Sequence, residues 1–468
     1  MKVTHAQNGP LTNPRDLAVQ ALRDRDGNVS ARLDRLLAEA RLGPVDRAFA
    51  RELALGALRR RGTLRAVLER CLAFPMERLR RGAVVEIFDI ALYQIFFLDR
   101  VPPFAAVNEA VEQAARFGHT KQSGLVNGVL RRLLRALGPF EQGRPPLEAT
   151  VVAASLSQFR RCEHPLLPEP SRGAEFLAAA CSLPQELARR WLSRQGPLER
   201  AFALGMSVNE RAPLVLRVNR LKASPDALLS RLAEAGVSAL PHANGASVVL
   251  LESRNVTELP GFDEGWFQPQ DATATAMGQV CAELGLLDGA ARVLDFCAAP
   301  GTKTTHLAEL MGDAGTILAL DVSTEKLAKI EDNCRRLGVT NVTTALAPSA
   351  GALSPGTFDL VLADVPCSNT GVLARRPEAR WRFSESALAQ LVRDQHELVS
   401  MAWRFVKPGG VFVYSTCSIE PEECGDVVAR LTRHHQGELL REHLTLPEST
   451  DPAHWRDGGY HAVLRKLL

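Results

Sequence analysis

Arg292–Leu310, RVLDFCAAPGTKTTHLAEL, reads as a strand, a tight loop and the first turns of a helix. A short apolar run ends in Asp295, the chain turns through Ala-Ala-Pro-Gly, and a helical pattern follows. This order opens a doubly wound α/β sheet, in which Gly301 lets the backbone approach a ligand and the helix start offers unpaired N–H groups. Two later stretches repeat it: Gly315–Asp321 (GTILALD) and Phe358–Ser368 (FDLVLADVPCS) are each a strand ending in an acid. An acid closing the second strand suits a ribose diol, which both NAD and S-adenosylmethionine carry. From residue 292 onward strands and helices alternate, as a parallel sheet requires. The last apolar stretch, Tyr460–Arg465, is placed antiparallel beside the strand VFVYST.

At 468 residues the chain is expected to hold two or three domains. Its 46% apolar and 23% charged residues are those of a globular protein. The net charge of +3 is divided unevenly: residues 1–140 hold 23 Lys and Arg against 14 Asp and Glu, so the remainder is acidic. A basic N-terminal module suggests a polyanionic partner, and the acidic remainder a catalytic module. The nine cysteines are scattered with no CxxC pair, which indicates neither a disulfide framework nor a metal site. The most apolar stretch, Ala83–Leu98, carries Glu86 and Asp89 and is too short to span a membrane. With no signal-peptide core at Met1–Pro10, a cytoplasmic protein is expected, with no membrane association.

Residues 13–137 carry apolar residues at helical spacing and no convincing strand. In Gly124–Leu137 the residues Val126, Val129, Leu130, Leu133, Leu134 and Leu137 share one arc, with Arg131, Arg132 and Arg135 on the opposite one. Residues 138–150, rich in Gly and Pro, read as a linker. A small β-α-β unit is expected from 214–219, 225–235 and 247–253. The sheet domain then begins near Gly265-Trp266-Phe267. The boundaries are therefore 1–140 for a helical domain, 141–205 for a linker with helices, 206–264 for the small α/β unit and 265–468 for the sheet domain.

Asp364, Cys367 and Cys417 lie at the carboxyl ends of neighbouring strands, where an open α/β sheet binds its ligands. That set fits methylation at carbon 5 of cytosine. Carbon 5 is a poor nucleophile until a thiolate adds at C6, and an acid is needed near N3. Arg375 and Arg376, beside the Pro-Cys loop, fit a clamp on phosphates flanking an extruded base.

The motifs Phe267-Gln268-Pro269-Gln270-Asp271, Asp295–Thr304, Asp364-Val365-Pro366-Cys367-Ser368, Arg376-Pro377-Glu378 with Trp381, and Ser415-Thr416-Cys417-Ser418 together resemble the Sun-type RNA cytosine-5 methyltransferases. Segments 46–61, 98–114 and 124–132 resemble the NusB-type helical RNA-binding domain, which points to the bacterial 16S rRNA branch. The resemblance implies a multidomain protein: an all-α NusB-like domain, a small α/β unit, and a Rossmann-like class I methyltransferase domain using S-adenosylmethionine. It implies that Cys417 is the nucleophile, that Cys367 assists product release, and that Asp364 bonds N3 and lies near the cofactor. Cys297, Ala298, Ala299, Pro300, Gly301, Thr302 and Lys303 would wrap the methionine part, and Asp321 would hold the ribose. DNA enzymes use the Pro-Cys cysteine as nucleophile, so the assignment between the thiols rests on the family. The implied partner is 16S rRNA or a small-subunit assembly intermediate, met by Arg131, Arg132, Arg135, Arg375 and Arg376, with the protein a monomer. Thr302 stands where the family usually has glycine, and Pro348 falls where its adenine-binding acid would be. That missing acid supports an alternative: a non-catalytic rRNA-binding or ribosome-assembly protein on a degenerate methyltransferase fold.

Overall fold

The computed structural model describes residues 12–23, 28–79, 82–288, 290–347, 351, 353–435 and 437–467. Pro348, where the adenine contact was sought, lies outside them. The chain forms two compact units: one of residues 1–210 with Arg376–Ser384, the other of Arg211–Arg375 with 385–468.

In the first unit six helices, from Pro14–Leu22 to Thr120–Ala136, occupy the region where only helical periodicity was found. Val84–Phe97 is its axis: all of Val84–Phe96 but Glu86 is buried, as its near-continuous apolar sequence requires. Asn13 and Asn28 cap the first two helices by accepting from the N–H groups of Arg15 and Ala31. Helix Thr120–Ala136 buries Val126, Val129, Leu130 and Leu133 and exposes Arg131, Arg132 and Arg135. Its amphipathic reading therefore holds.

The expected linker is instead a strand. β1 (Leu137–Gln142), β2 (Val151–Ala153) and β3 (Gln158–Cys162) form an antiparallel sheet in the order β1-β3-β2. Its strands are too short and too rich in Gly and Pro to show periodicity. What fixes it is Arg160, whose guanidinium donates to Gly138 O and to Ile95 O of the axial helix. Arg376–Ser384 belongs to this unit through Arg380, fully buried, which donates to the carbonyls of Arg59, Ser182 and Val208 and to Asn209 Oδ1.

The second unit contains two sheets. β4 (Val215–Val218), β5 (Ala239–Pro241), β6 (Ser247–Leu250) and β7 (Phe267–Pro269) form a four-stranded sheet, ordered β5-β6-β4-β7, with helix Pro225–Glu234 beside it. Phe267-Gln268-Pro269 thus closes the small sheet by pairing antiparallel with β4, where the sequence placed the start of the large one.

The large sheet holds β8 (Arg292–Asp295), β9 (Thr316–Asp321), β10 (Val342–Leu346), β11 (Phe358–Asp364), β12 (Val406–Thr416), β13 (Gly437–Thr445) and β14 (Gly459–Lys466). Their order is β10-β9-β8-β11-β12-β14-β13, parallel except for β14, which runs antiparallel between β12 and β13. This is the order of a class I methyltransferase, and the antiparallel return of Tyr460–Arg465 lies where it was expected. Neighbouring residues such as Val293 and Leu294 enter cores on opposite faces, so the central strands are apolar throughout. The chain order reverses at β8, flanked by β9 and β11, and ligands bind at such a switch point.

Candidate active site at the carboxyl edge of the large sheet

Three strand ends converge at the switch point. β8 ends in Asp295 and turns through Cys297–Gly301 into helix Thr302–Leu310. Gly301 has φ of 91°, and a Cβ there would come within 3.0 Å of Ile330, so the loop requires glycine. β9 ends in Asp321, whose Oδ2 accepts from Ala299 N at 3.3 Å. Its buried Oδ1 has no hydrogen-bond partner among the described residues and meets only the longer ion pair with Lys326 Nζ, at 3.6 Å. An acceptor with hydrogen-bonding capacity left over, beside a glycine loop, fits the hydroxyls of a ribose, and with it the sugar of the expected cofactor. Burial raises Asp295 to about 7, although Thr304 donates to it. Burial likewise pushes the Cys297 thiol up to about 12, so Cys297 serves the loop as a neutral side chain.

β11 ends in Asp364, and Lys303 Nζ, from the helix after the glycine loop, lies 2.6 Å from its Oδ2. Burial works to lower Lys303, but the Asp364 charge overcomes it and the ammonium is raised. Cys367 follows Asp364 and Cys417 follows β12, and the parallel pairing of the two strands brings their sulfurs to 3.2 Å. Cys417 Sγ also donates to Asn369 Oδ1 at 3.3 Å, and Asn369 Nδ2 donates to Cys367 O at 2.7 Å. Hydrogen bonding from Cys417 lowers Cys367, while the same contact, burial and the neighbouring charges raise Cys417 well above the usual thiol range. Two thiols at this distance share protons, so the first ionisation is eased and the second opposed.

A cavity of ≈ 60 Å³ opens against Cys417, lined among others by Lys303, Asp271, Thr273, Asp457 and His461. Its wall depends on close backbone approach: Gly458 N donates to Gly371 O and Gly371 N to Cys417 O, with no room for a Cβ at either glycine. Burial lowers His461 to about 4, leaving a neutral imidazole. Burial first, then the neighbouring Asp271, raises Asp457 to about 7.

Asp364, Cys367, Cys417, Lys303 and the glycine loop are therefore gathered at one edge, with Asp321 at the end of the adjacent strand. Arg375, read as half of a phosphate clamp, is exposed and already engaged by carboxylates. Its guanidinium donates to Asp457 at 2.6 Å, to Pro213 O at 2.9 Å and to Asp271 at 3.4 Å. Arg376 belongs to the first unit, as do Arg131, Arg132 and Arg135. Asp457, His461 and Glu423 were not found from sequence. Only the position of Asp457, two residues before the last strand, would have drawn attention to it. Among the described residues there is no cluster that could hold a metal ion, and no helix long and apolar enough to cross a membrane.

Comparison with known proteins agrees with this arrangement. Residues 285–454 match the family described as 16S rRNA methyltransferase RsmB/F, 12–135 the NusB family, and 183–257 the RsmF/B-like ferredoxin-like domain. The chain is 35% identical over 428 residues to ribosomal RNA small subunit methyltransferase B of Sodalis glossinidius, covering 91% of this chain and 89% of that one. It is 33% identical over 465 residues to the protein of the same name from Erwinia tasmaniensis, covering 97% and 99%. A methyltransferase homolog from Pyrococcus horikoshii superimposes with a TM-score of 0.53 at 28% identity, covering 64% of this chain and all of the other.

Proposed function

The chain belongs to the ribosomal RNA small subunit methyltransferase B family, and on that premise we propose that it methylates carbon 5 of one cytosine in 16S rRNA through a covalent adduct between Cys417 and C6. The observation that carries the reading is the meeting of two thiols, 3.2 Å apart, with the Lys303–Asp364 pair at the edge of the sheet where the cofactor loop ends.

Each residue has a defined task. Cys417, in the wall of the cavity, adds to C6 as the thiolate while Asp364 passes N3 a proton from its pair with Lys303, which turns the ring into an enamine nucleophilic at C5. Lys303 holds Asp364 in place and balances its charge. Asp321 and residues 297–303 hold S-adenosylmethionine, which when bound supplies an electrophilic methyl group. Cys367, in contact with Cys417, assists release: as the thiolate it takes the C5 proton, the C–H electrons form the C5–C6 double bond, and the C6–S bond breaks to free Cys417 as the thiolate. Arg131, Arg132 and Arg135 give the helical unit a basic face for phosphates, and the target cytosine is read from a single-stranded or loop segment.

The test is incubation with S-adenosylmethionine and unmodified 16S rRNA, followed by nucleoside mass spectrometry, with a DNA copy of the same sequence in parallel. The reading expects 5-methylcytidine in the RNA alone. Cofactor binding and rRNA binding without methyl transfer would favour a non-catalytic assembly protein.

A further inference from the structure

Beneath the two thiols lies a buried carboxylate that the mechanism above leaves unused. Glu423 has no solvent exposure. Its Oε1 accepts from Ser368 N at 2.9 Å and from Gln395 Nε2 at 3.0 Å, and its Oε2 accepts from the Ser368 hydroxyl. Gln395 Nε2 also donates to Pro366 O at 2.8 Å, so both neighbours of Cys367 are held by this pair. The Ser368 hydroxyl lies 3.2 Å from that of Ser418, the residue after Cys417, and Ser418 Oγ lies 3.1 Å from Thr370 Oγ1. One carboxylate therefore ties the loop of Cys367 to the loop of Cys417.

Burying an anion costs several kcal/mol unless it is fully hydrogen-bonded, and an amide or apolar side chain would fill the space at less cost. Among the described residues the donors to Glu423 are neutral, and no ion pair offsets its charge. Burial raises its carboxyl, against the donors from Ser368, Ser418 and Gln395. The charge in turn opposes ionisation of Cys367.

We propose that Glu423 is a positioning residue that ties the loops of Cys367 and Cys417 together, sets the contact between the two thiols, and with its charge restrains ionisation of Cys367 against the Cys417 hydrogen bond that favours it. The proposal rests on the cytosine-5 reading above.

Two variants separate geometry from charge: Glu423→Gln keeps the shape, and Glu423→Asp keeps the charge on a shorter arm. Two readouts apply. The first is the pH dependence of Cys367 alkylation by iodoacetamide in the RNA-free protein, followed peptide by peptide by mass spectrometry. The second is single-turnover methyl transfer to 16S rRNA. For Glu423→Gln the alkylation midpoint of Cys367 is expected to fall by about one pH unit, and Glu423→Asp to remain near wild type. The single-turnover rate of Glu423→Gln is expected to drop about tenfold or more, with KM for both substrates within about twofold. A midpoint unchanged in Glu423→Gln overturns the proposal, and a rate loss that merely follows loss of folded protein makes Glu423 a loop anchor only. If Glu423→Gln does not fold, Ser418→Ala cuts the tie on the Cys417 side; it should slow methyl transfer to a similar degree, and a wild-type rate overturns the proposal. Wild-type protein that transfers no methyl group defeats the cytosine-5 reading instead, and the alkylation readout still decides the role of Glu423.

Discussion

The sulfurs of Cys367 and Cys417 stand 3.2 Å apart although 50 positions separate them in the chain. Parallel pairing of β11 with β12 in register, Asp364 opposite Ser415, delivers both to the same edge. The hydrogen bond between the two sulfurs lowers the Cys367 thiol. Removing Cys417 must raise it again. In Cys417→Ala the alkylation midpoint of Cys367 should move to higher pH than in wild type; a midpoint that stays or falls would show that the thiols do not share a proton in solution.

Asp321 Oδ1 is buried, accepts no hydrogen bond from the described residues and lies 3.6 Å from Lys326 Nζ. Asp321→Ala removes a charged acceptor from the ribose, worth about 1.5–3 kcal/mol, so affinity for S-adenosylmethionine should weaken about 10- to 150-fold. Isothermal titration calorimetry reads this directly. Thermal stability should change little, since the partner of Oδ1 is the half-exposed Lys326 and such pairs contribute little.

Arg380 donates to four acceptors inside the first unit. Arg380→Ala strands three carbonyls and leaves a cavity, costing about 3 kcal/mol or more. Lysine cannot restore the fork of donors, so Arg380→Lys should recover little. Chemical denaturation followed in both variants checks the ranking; recovery by lysine would mean that charge alone matters there.

Asp295 keeps its proton up to about 7 in the folded chain, against a usual 3.8, because burial disfavours the anion. Between those values unfolding releases a proton, so Asp295 contributes stability at low pH that is lost as pH rises through about 7. Asp295→Asn should flatten the fall in unfolding free energy between about pH 5 and pH 8. An unchanged slope in urea titrations across that range would assign the fall to other groups.

Much of the second unit was legible in the sequence because parallel strands buried on both faces read as unbroken apolar runs, each ending in an acid or a cysteine. Gly315–Asp321 and Phe358–Ser368 are strands β9 and β11 with their following turns, and Tyr460–Arg465 returns antiparallel as read. Short strands were not legible. The three residues of β7 and of β2 have no measurable period, and their strand character comes from partners: Arg217, far along the chain, for β7 and Phe159, across a tight turn, for β2. At the site the same limit holds for the partners of Arg375, a surface arginine beside a catalytic loop. Its carboxylates, Asp271 and Asp457, lie 104 and 82 positions away and appear only in three dimensions. Glu423, within Pro-Glu-Glu, reads as solvent-facing until Ser368 and Gln395 are folded over it.

The central claim is that Cys417 forms the bond to the base and Cys367 helps to break it. Cys417→Ala and Cys367→Ala, each incubated with S-adenosylmethionine and unmodified 16S rRNA and resolved under denaturing conditions, test it most directly. The account predicts a stable protein–RNA adduct in Cys367→Ala and neither adduct nor 5-methylcytidine in Cys417→Ala. An adduct that accumulates in Cys417→Ala would contradict it and reverse the roles of the two thiols.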